Sequence, residues 1–182
     1  MGMFSLEHSK AAYRADFALY AGAIVLLTGF LAADGPRAQW PKMAAVVTLG
    51  LLGWTLIEYV LHRFVLHGLQ PFKRWHAEHH QRPVALICSP TLLSASLIAS
   101  LVFLPALLLA NLLLACAVTL GVLMGYLAYA TTHHATHHWR TSNGWLRQRK
   151  QWHALHHQHV DAAGYFGVTN GFWDRVFGSV RR

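Results

Sequence analysis

Charge is scarce in this sequence. Of 182 residues only 12% are charged, and Asp and Glu together number 7, whereas charged residues make up about a quarter of an ordinary soluble domain. From Pro83 to Trp139, 57 consecutive positions hold no Asp, Glu, Lys or Arg. Cysteine is nearly missing as well. Cys88 and Cys116 are the two present, both inside apolar stretches, so a disulfide framework, a Cys-based zinc ribbon and an iron–sulfur cluster are excluded and the pair reads as packing residues. No heme motif or flavin fingerprint occurs. What the chain has instead is apolar length, with 54% hydrophobic residues, and an excess of Lys and Arg that gives a formal charge of +8. That charge suits nucleic acid or an anionic membrane surface. The hydropathy decides against nucleic acid.

The apolar runs predict an all-α integral membrane protein with about four transmembrane helices, organised as a single domain over 1–182. Residues 17–33 carry no charge and reach roughly 25 Å at helical rise, enough for a hydrocarbon core of about 30 Å once flanking residues snorkel. A cleaved signal peptide is the competing reading, but Leu31-Ala32-Ala33 lacks the A-x-A pattern. The second span is 43–61, apolar except for Glu58 near its end. The charge-free run from Pro83 is too long for one crossing and predicts spans at 91–110 and 112–131, with Pro105 and Asn111 marking the turn between them. Four spans leave both termini, the loop after span two and the tail on one side. That side holds 13 of the 15 Lys and Arg residues, so it is the cytoplasmic one. A helical cap of 62–82 and 132–182 then lies in the cytoplasm.

Histidine is the anomaly. There are 14, twice the number of acids, and all but His8 and His159 fall in four clusters beyond the cytoplasmic ends of the spans. The first is His62 with His67. The second and fourth repeat one pattern, Trp75-His76-Ala77-Glu78-His79-His80 and Trp152-His153-Ala154-Leu155-His156-His157. On a helix this H-x2-H-H spacing turns three imidazoles to one face. The third cluster offers His133 with His137 or His134 with His138. Neutral imidazole suits iron, zinc, copper and nickel, and a mononuclear zinc site needs only three or four ligands. Ten or more histidines fit two neighbouring metals better. Glu58 and Glu78 are the only carboxylates close by, which excludes the carboxylate-rich design of soluble di-iron bundles.

Plainer roles are expected for the rest. His8 and His159 read as interfacial residues, and the Trp before each triplet as a membrane anchor, as do Phe172, Trp173 and Phe177. Glu78 points away from the face shared by His76 and His80 and should be solvated. Asp161 and Asp174 are weak candidates for supporting a ligand, Asp174 being better placed to pair with Arg175. Glu58, one turn before His62, is a candidate for orienting that imidazole, set against an equal reading as a snorkelling acid.

These motifs resemble the fatty acid hydroxylase and sterol desaturase superfamily of integral membrane di-iron oxygenases. The family order H-x4-H, H-x2-H-H, H-x3-H, H-x2-H-H is matched across positions 62 to 157. Phe166-Gly167-Val168-Thr169 and Phe172-Trp173-Asp174-Arg175-Val176-Phe177-Gly178 resemble its closing segment. The resemblance implies as metal ligands His62, His67, His76, His79, His80, His133, His137, His153, His156 and His157. His133 and His137 are preferred over His134 and His138 because Tyr129 matches a tyrosine at that offset in the sphingolipid fatty acid hydroxylases. Gln81-Arg82-Pro83-Val84-Ala85 departs from those enzymes in lacking an acid after the proline.

The resemblance further implies two iron ions, replaceable by zinc in a purified protein, and dioxygen as cosubstrate. The expected activity is hydroxylation of a lipid chain, with electrons from a separate donor protein. A desaturase or carotenoid hydroxylase with the same metals is the nearest alternative. A non-catalytic metal-binding or metal-transport protein is another, disfavoured because such a protein would place ligands near mid-membrane. The Ala- and Leu-rich, compact chain points to a bacterial inner membrane.

Overall fold

A computed structural model describes residues 7–158 and 164–180. His159 and Asp161 lie outside the described residues. Ser9 opens α1, Lys10–Asp34, by accepting the Ala12 N–H on its hydroxyl, which satisfies one of the amides a helix start leaves free. A short turn, Arg37–Gln39, leads to α2, Trp40–Val60, which runs on without a break through a wide turn at Leu61–Leu66. The helix α3 is Phe72–Gln81; α4, Thr91–Ile98, is joined through a second wide turn, Ala99–Phe103, to α5, Leu104–Leu109. Then come α6, Leu112–His138, α7, Gly144–Gln158, and the short α8, Phe172–Val176. Among the described residues there is no strand, only an isolated bridge between Glu7 and Ile87.

Four of these rods are long and apolar enough to cross a membrane: Lys10–Asp34, Arg37–Leu66, Thr91–Leu109 and Leu112–His138. The second and fourth overrun the sequence-based ends at 61 and 131, because nothing in Leu61–Leu66 or Thr132–His138 breaks a helix. A change from apolar to histidine-rich sequence alters what the helix faces and leaves its hydrogen bonding intact. The turn after the third span also differs from expectation. Pro105 does not mark it; the break falls at Ala110 and Asn111, where the Asn111 side chain caps Leu114 N–H at 3.0 Å. Pro105 stays inside the rod because the Leu104 N–H reaches back five residues to the Ala99 carbonyl. That widening spreads the carbonyls a regular turn would press against the proline ring.

The chain divides into two compact units. The first comprises Met1–Trp54 and Leu86–Leu127. Its core is Leu31, Met43, Cys116, Ala117 and Leu120, so Cys116 packs as expected. Within it α2 and α6 approach backbone to backbone at Gly50 and Gly121: a Cβ on Gly121 would lie 2.1 Å from the Val47 carbonyl oxygen. Close approach through small residues is how apolar helices gain contact where lipid offers no hydrophobic drive. Leu26 and Leu109, 75% and 87% exposed, show the outward faces of α1 and α5 to be hydrocarbon, as a lipid environment requires. The buried Asp16 accepts from Thr91 at 2.6 Å, and Tyr20 meets Ser94 at 2.7 Å, tying α1 to the start of α4. The second unit comprises Thr55–Ala85 and Ala128–Arg182 and contains every one of the clustered histidines.

Candidate metal centre

In the second unit the wide turn at the end of α2 brings His62 and His67 together. In a regular α-helix two residues five apart are rotated by about 140° and diverge. Here the His67 N–H bonds to the His62 carbonyl at 3.2 Å, an i to i+5 closure that carries the second residue round over the first. The two rings stand 5.3 Å apart.

The triplets need no such device. On α3, His76 and His80 are one regular turn apart, with their Nε2 atoms 3.0 Å from each other, and on α7 His153 and His157 repeat this at 3.1 Å. Asn143 starts α7 by accepting the Leu146 N–H at 3.1 Å. Lys150 then donates to the carbonyls of Thr136 at 2.7 Å and Trp139 at 2.9 Å, capping the free carbonyls at the end of α6. This clamps α7 onto α6 in one register, with His153 Nε2 2.8 Å from His137 Nε2.

The ring nitrogens gather into two groups. His62, His67, His76, His80 and His156 form one, and His79, His133, His137 and His153 the other, with the ligand atoms of each group within 4.8 Å of one another. His157 lies between them: its Nε2 is 3.1 Å from that of His153, and its ring stacks on His80 at 4.1 Å. The residues present fit a pair of cations. His62 donates its Nδ1–H to the Phe166 carbonyl at 2.6 Å, and His156 donates its own to the Gly164 carbonyl at 2.8 Å. With the proton on Nδ1, each presents a bare lone pair at Nε2. Those lone pairs point at other imidazole nitrogens, His62 to His76 at 3.0 Å and His67 to His156 at 3.1 Å, a convergence of acceptors that a metal ion satisfies.

Burial keeps the imidazoles neutral. It pushes His67 and His80 down to about 4, with neighbouring cations adding to the effect at His67. His157 is pushed to about 3 and His79 to about 2, chiefly by burial and then by the other imidazoles. His76, His153 and His156 move the same way for the same reasons. A neutral imidazole is the form that binds metal.

The segment after α7 organises one side of this cluster. Asp174 is 0% exposed; its carboxylate accepts the N–H groups of Phe166 and Gly167, both at 2.8 Å, and the Ser179 hydroxyl at 2.7 Å. The expected pairing with Arg175 is therefore replaced by hydrogen bonds to the backbone, which suit a fully buried acid better than a solvated cation does. Glu58 is 3% exposed and does not snorkel. It accepts from Val168 N–H at 2.6 Å, Thr169 N–H at 2.9 Å and the Thr169 hydroxyl at 2.7 Å. Its carboxylate thus reaches the tail rather than the imidazole of His62. Gly167 is a necessity here, since a Cβ would lie 2.0 Å from the Asn170 carbonyl oxygen and 2.9 Å from Asp174 Oδ2. These tail residues escaped sequence reasoning as a support. The available signal was an acid, Asp174, in an aromatic stretch, because such a group is buried only when bonded.

The remaining candidates fall outside the groups. His134 and His138 stack on each other at 4.4 Å, so His133 and His137 are the pair turned to the other histidines, and Tyr129 stacks on His133 at 5.8 Å. Glu78 pairs with Arg82 at 3.4 Å on the exposed face of α3. Trp152 is no free membrane anchor. Arg149 lies over its ring at 4.1 Å, Tyr165 tilts against it at 5.3 Å, and a Cβ on Gly171 would collide with it. Trp173 donates to Thr55 at 3.0 Å, while Phe172 is exposed and Phe177 stacks on the buried Tyr59 at 5.4 Å.

Comparison with known proteins agrees with this geometry. A family model described as fatty acid hydroxylase matches residues 47–179. The dihydroceramide fatty acyl 2-hydroxylase of Arabidopsis thaliana is 34% identical over 152 residues, which is 78% of this chain and 62% of that protein. The ceramide very long chain fatty acid hydroxylase of Schizosaccharomyces pombe is 33% identical, covering 72% of this chain and 41% of its own length. Among solved structures, full-length scs7p, of which only the hydroxylase domain is visible, matches with a TM-score of 0.81 at 27% identity, over 94% of this chain and 67% of that one. The chain therefore spans less than two thirds of the length of these two curated relatives.

Proposed function

The chain belongs to the fatty acid hydroxylase family, and from that premise we propose that it is a multi-pass membrane enzyme that hydroxylates a C–H bond of a lipid chain. The observation that carries this reading is the convergence of histidine ring nitrogens into two adjacent groups inside one helical unit. His62, His67, His76, His80 and His156 would hold one iron; His79, His133, His137 and His153, with His157 beside them, would hold the other. Bound there, the metals would supply the activation of dioxygen that inserts one oxygen atom into the substrate, with external electrons reducing the other to water.

The chain's own part is to keep the imidazoles neutral and aimed. Burial holds protons off them, the carbonyls of Gly164 and Phe166 fix two ring orientations, and Glu58 secures the loop that presents Phe166. The lipid class named for the relatives, a ceramide or dihydroceramide fatty acyl chain, is the first substrate to try. The sequence carries no heme, flavin or iron–sulfur motif, so electrons come from a separate donor, and the basic loops suit an acidic one. Those loops also place the histidine side in the cytoplasm of a bacterial inner membrane.

The test is to purify the protein in detergent under iron-retaining conditions and measure metal identity and the metal-to-protein ratio, then the product mass from a ceramide-type acyl substrate. About two metals per chain and a product heavier by one oxygen atom support the proposal. A product lighter by two hydrogens makes it a desaturase. A protein that holds metal and transforms no lipid returns it to a binding or transport role.

A further inference from the structure

The carbonyl that receives His62 and the amide that binds Asp174 belong to one peptide group. Phe166 C=O and Gly167 N–H are the two ends of the 166–167 peptide, which is planar, so that in its trans form they point in opposite directions. One end is 2.6 Å from His62 Nδ1 and the other 2.8 Å from Asp174 Oδ2. The neighbouring peptide repeats the arrangement. Gly164 C=O accepts from His156 Nδ1 at 2.8 Å, while the other end of that peptide, Tyr165 N–H, donates to the Ser179 carbonyl at 3.1 Å. Between the two peptides Tyr165 is left-handed, with φ of 56°, a conformation that costs a non-glycine residue energy and persists only where the surroundings hold it. Asp174 and Ser179 hold it, and they are joined to each other by the Ser179 hydroxyl at 2.7 Å.

Metal-ligating histidines commonly donate their second N–H to a carboxylate, which fixes the ring and raises its basicity. We infer that Asp174 does this for His62 at one remove, through the 166–167 peptide, and that the tail segment 164–179 is a positioning element for the five-histidine group alone. A carboxylate on the amide end polarises the peptide and strengthens its carbonyl as an acceptor. The electron-rich carbonyl in turn makes His62 Nε2 a better donor to metal. His62 and His156, the two imidazoles gripped in this way, both belong to the group with His67, His76 and His80. In the other group, the Nδ1 atoms of His79 and His153 are buried without a hydrogen-bond partner.

The inference rests on the two-metal reading, and its test separates the two. Wild type and Asp174→Asn are loaded with zinc and mixed with an excess of chromogenic chelator, and the release of metal is followed with time. Asn is the demanding replacement, because both carboxylate oxygens take backbone N–H donors that cannot reverse, so its NH2 must face one of them. In Asp174→Asn one zinc per chain is expected to leave about ten- to one-hundredfold faster while the second keeps its wild-type rate. Adding His133→Ala to Asp174→Asn should abolish the unchanged phase, which assigns it to the other group. Ser179→Ala, which removes only the hydroxyl, is the milder second variant and should hasten the same single phase to a smaller degree. Acceleration of both phases alike marks Asp174 as a general fold stabiliser and overturns the inference, as does release at the wild-type rate in both variants. A wild-type protein that takes up no zinc overturns the two-metal reading and this inference with it.

Discussion

Glu58 and Thr169, 111 residues apart in sequence, are bonded twice: the Glu58 carboxylate accepts both the backbone N–H of Thr169 at 2.9 Å and its hydroxyl at 2.7 Å. The two contacts differ in what they tolerate. Oε1 takes backbone N–H groups from Val168 and Thr169, whereas Oε2 takes a hydroxyl that can turn and accept. Glu58→Gln should therefore keep the loop in place, its NH2 donating to Thr169. Glu58→Ala leaves two amides without an acceptor and should cost about 2–4 kcal/mol. Denaturation of the two variants in the same detergent gives the comparison, and equal losses would count against this division of labour.

His76→Ala and His153→Ala each remove a nitrogen from a different group. Both proteins should insert and purify normally, lose turnover, and bind less metal than wild type. The readouts are membrane fractionation, product formation and metal analysis on the same preparations.

His134→Ala and His138→Ala should do neither. Their rings stack on each other and meet neither group, so activity and metal content are expected at wild-type level, as for His8→Ala. A loss of metal in His134→Ala matching that in His133→Ala would reverse the choice of ligand pair on α6.

Acid should weaken the metal-free fold from a higher pH than carboxylates alone would dictate. Unfolded imidazoles take protons near about 6.5, whereas in the folded chain His67 and His80 do so only near about 4. Between those values the unfolded state binds more protons, so stability falls as pH falls through that window and is full above it. Thermal unfolding of metal-stripped protein at a series of pH values tests this, and a melting temperature flat down to about pH 4.5 would sink it. Bound metal competes for the same nitrogens, so its release belongs to the lower part of the same window.

Gly121→Ala tests the close approach in the first unit. Its Cβ would meet the Val47 carbonyl oxygen at 2.1 Å and the Leu51 nitrogen at 2.8 Å. Both are backbone atoms that cannot swing aside, so α2 and α6 must part. A loss of about 1–3 kcal/mol is expected, against little change for Gly53→Ala, whose Cβ would meet nothing within 4 Å.

Much of this was legible in the sequence. Charge-free runs located all four membrane helices, and regular i, i+3, i+4 spacing located the faces of α3 and α7, since local periodicity decides both. Support from the tail was not legible. Whether Asp174 pairs with Arg175 or turns inward depends on where Phe166 and Gly167 come to rest, which long-range packing decides. Pro105 misled for the opposite reason: a local rule was applied where a wide turn upstream had already made room for the ring. The ends of α2 and α6 were placed too early because hydropathy reports what a helix touches, whereas its length follows from hydrogen bonding.

The wide turn at Leu61–Leu66 also says something about spacing as a language. His62 and His67, with four residues between them, stand 5.3 Å apart on a wide turn, while His133 and His137, with three between them, stand 5.0 Å apart on a regular one. The two spacers are synonyms written in different backbone dialects. A single-residue deletion inside Arg63–Leu66 translates one into the other, relaxing the turn to ordinary pitch and returning the imidazoles to the same neighbourhood. What it changes is the phase of everything downstream, by about 100° of helical rotation. In this chain the extra residue serves as a phase shifter, setting the direction in which the polypeptide leaves the span toward α3.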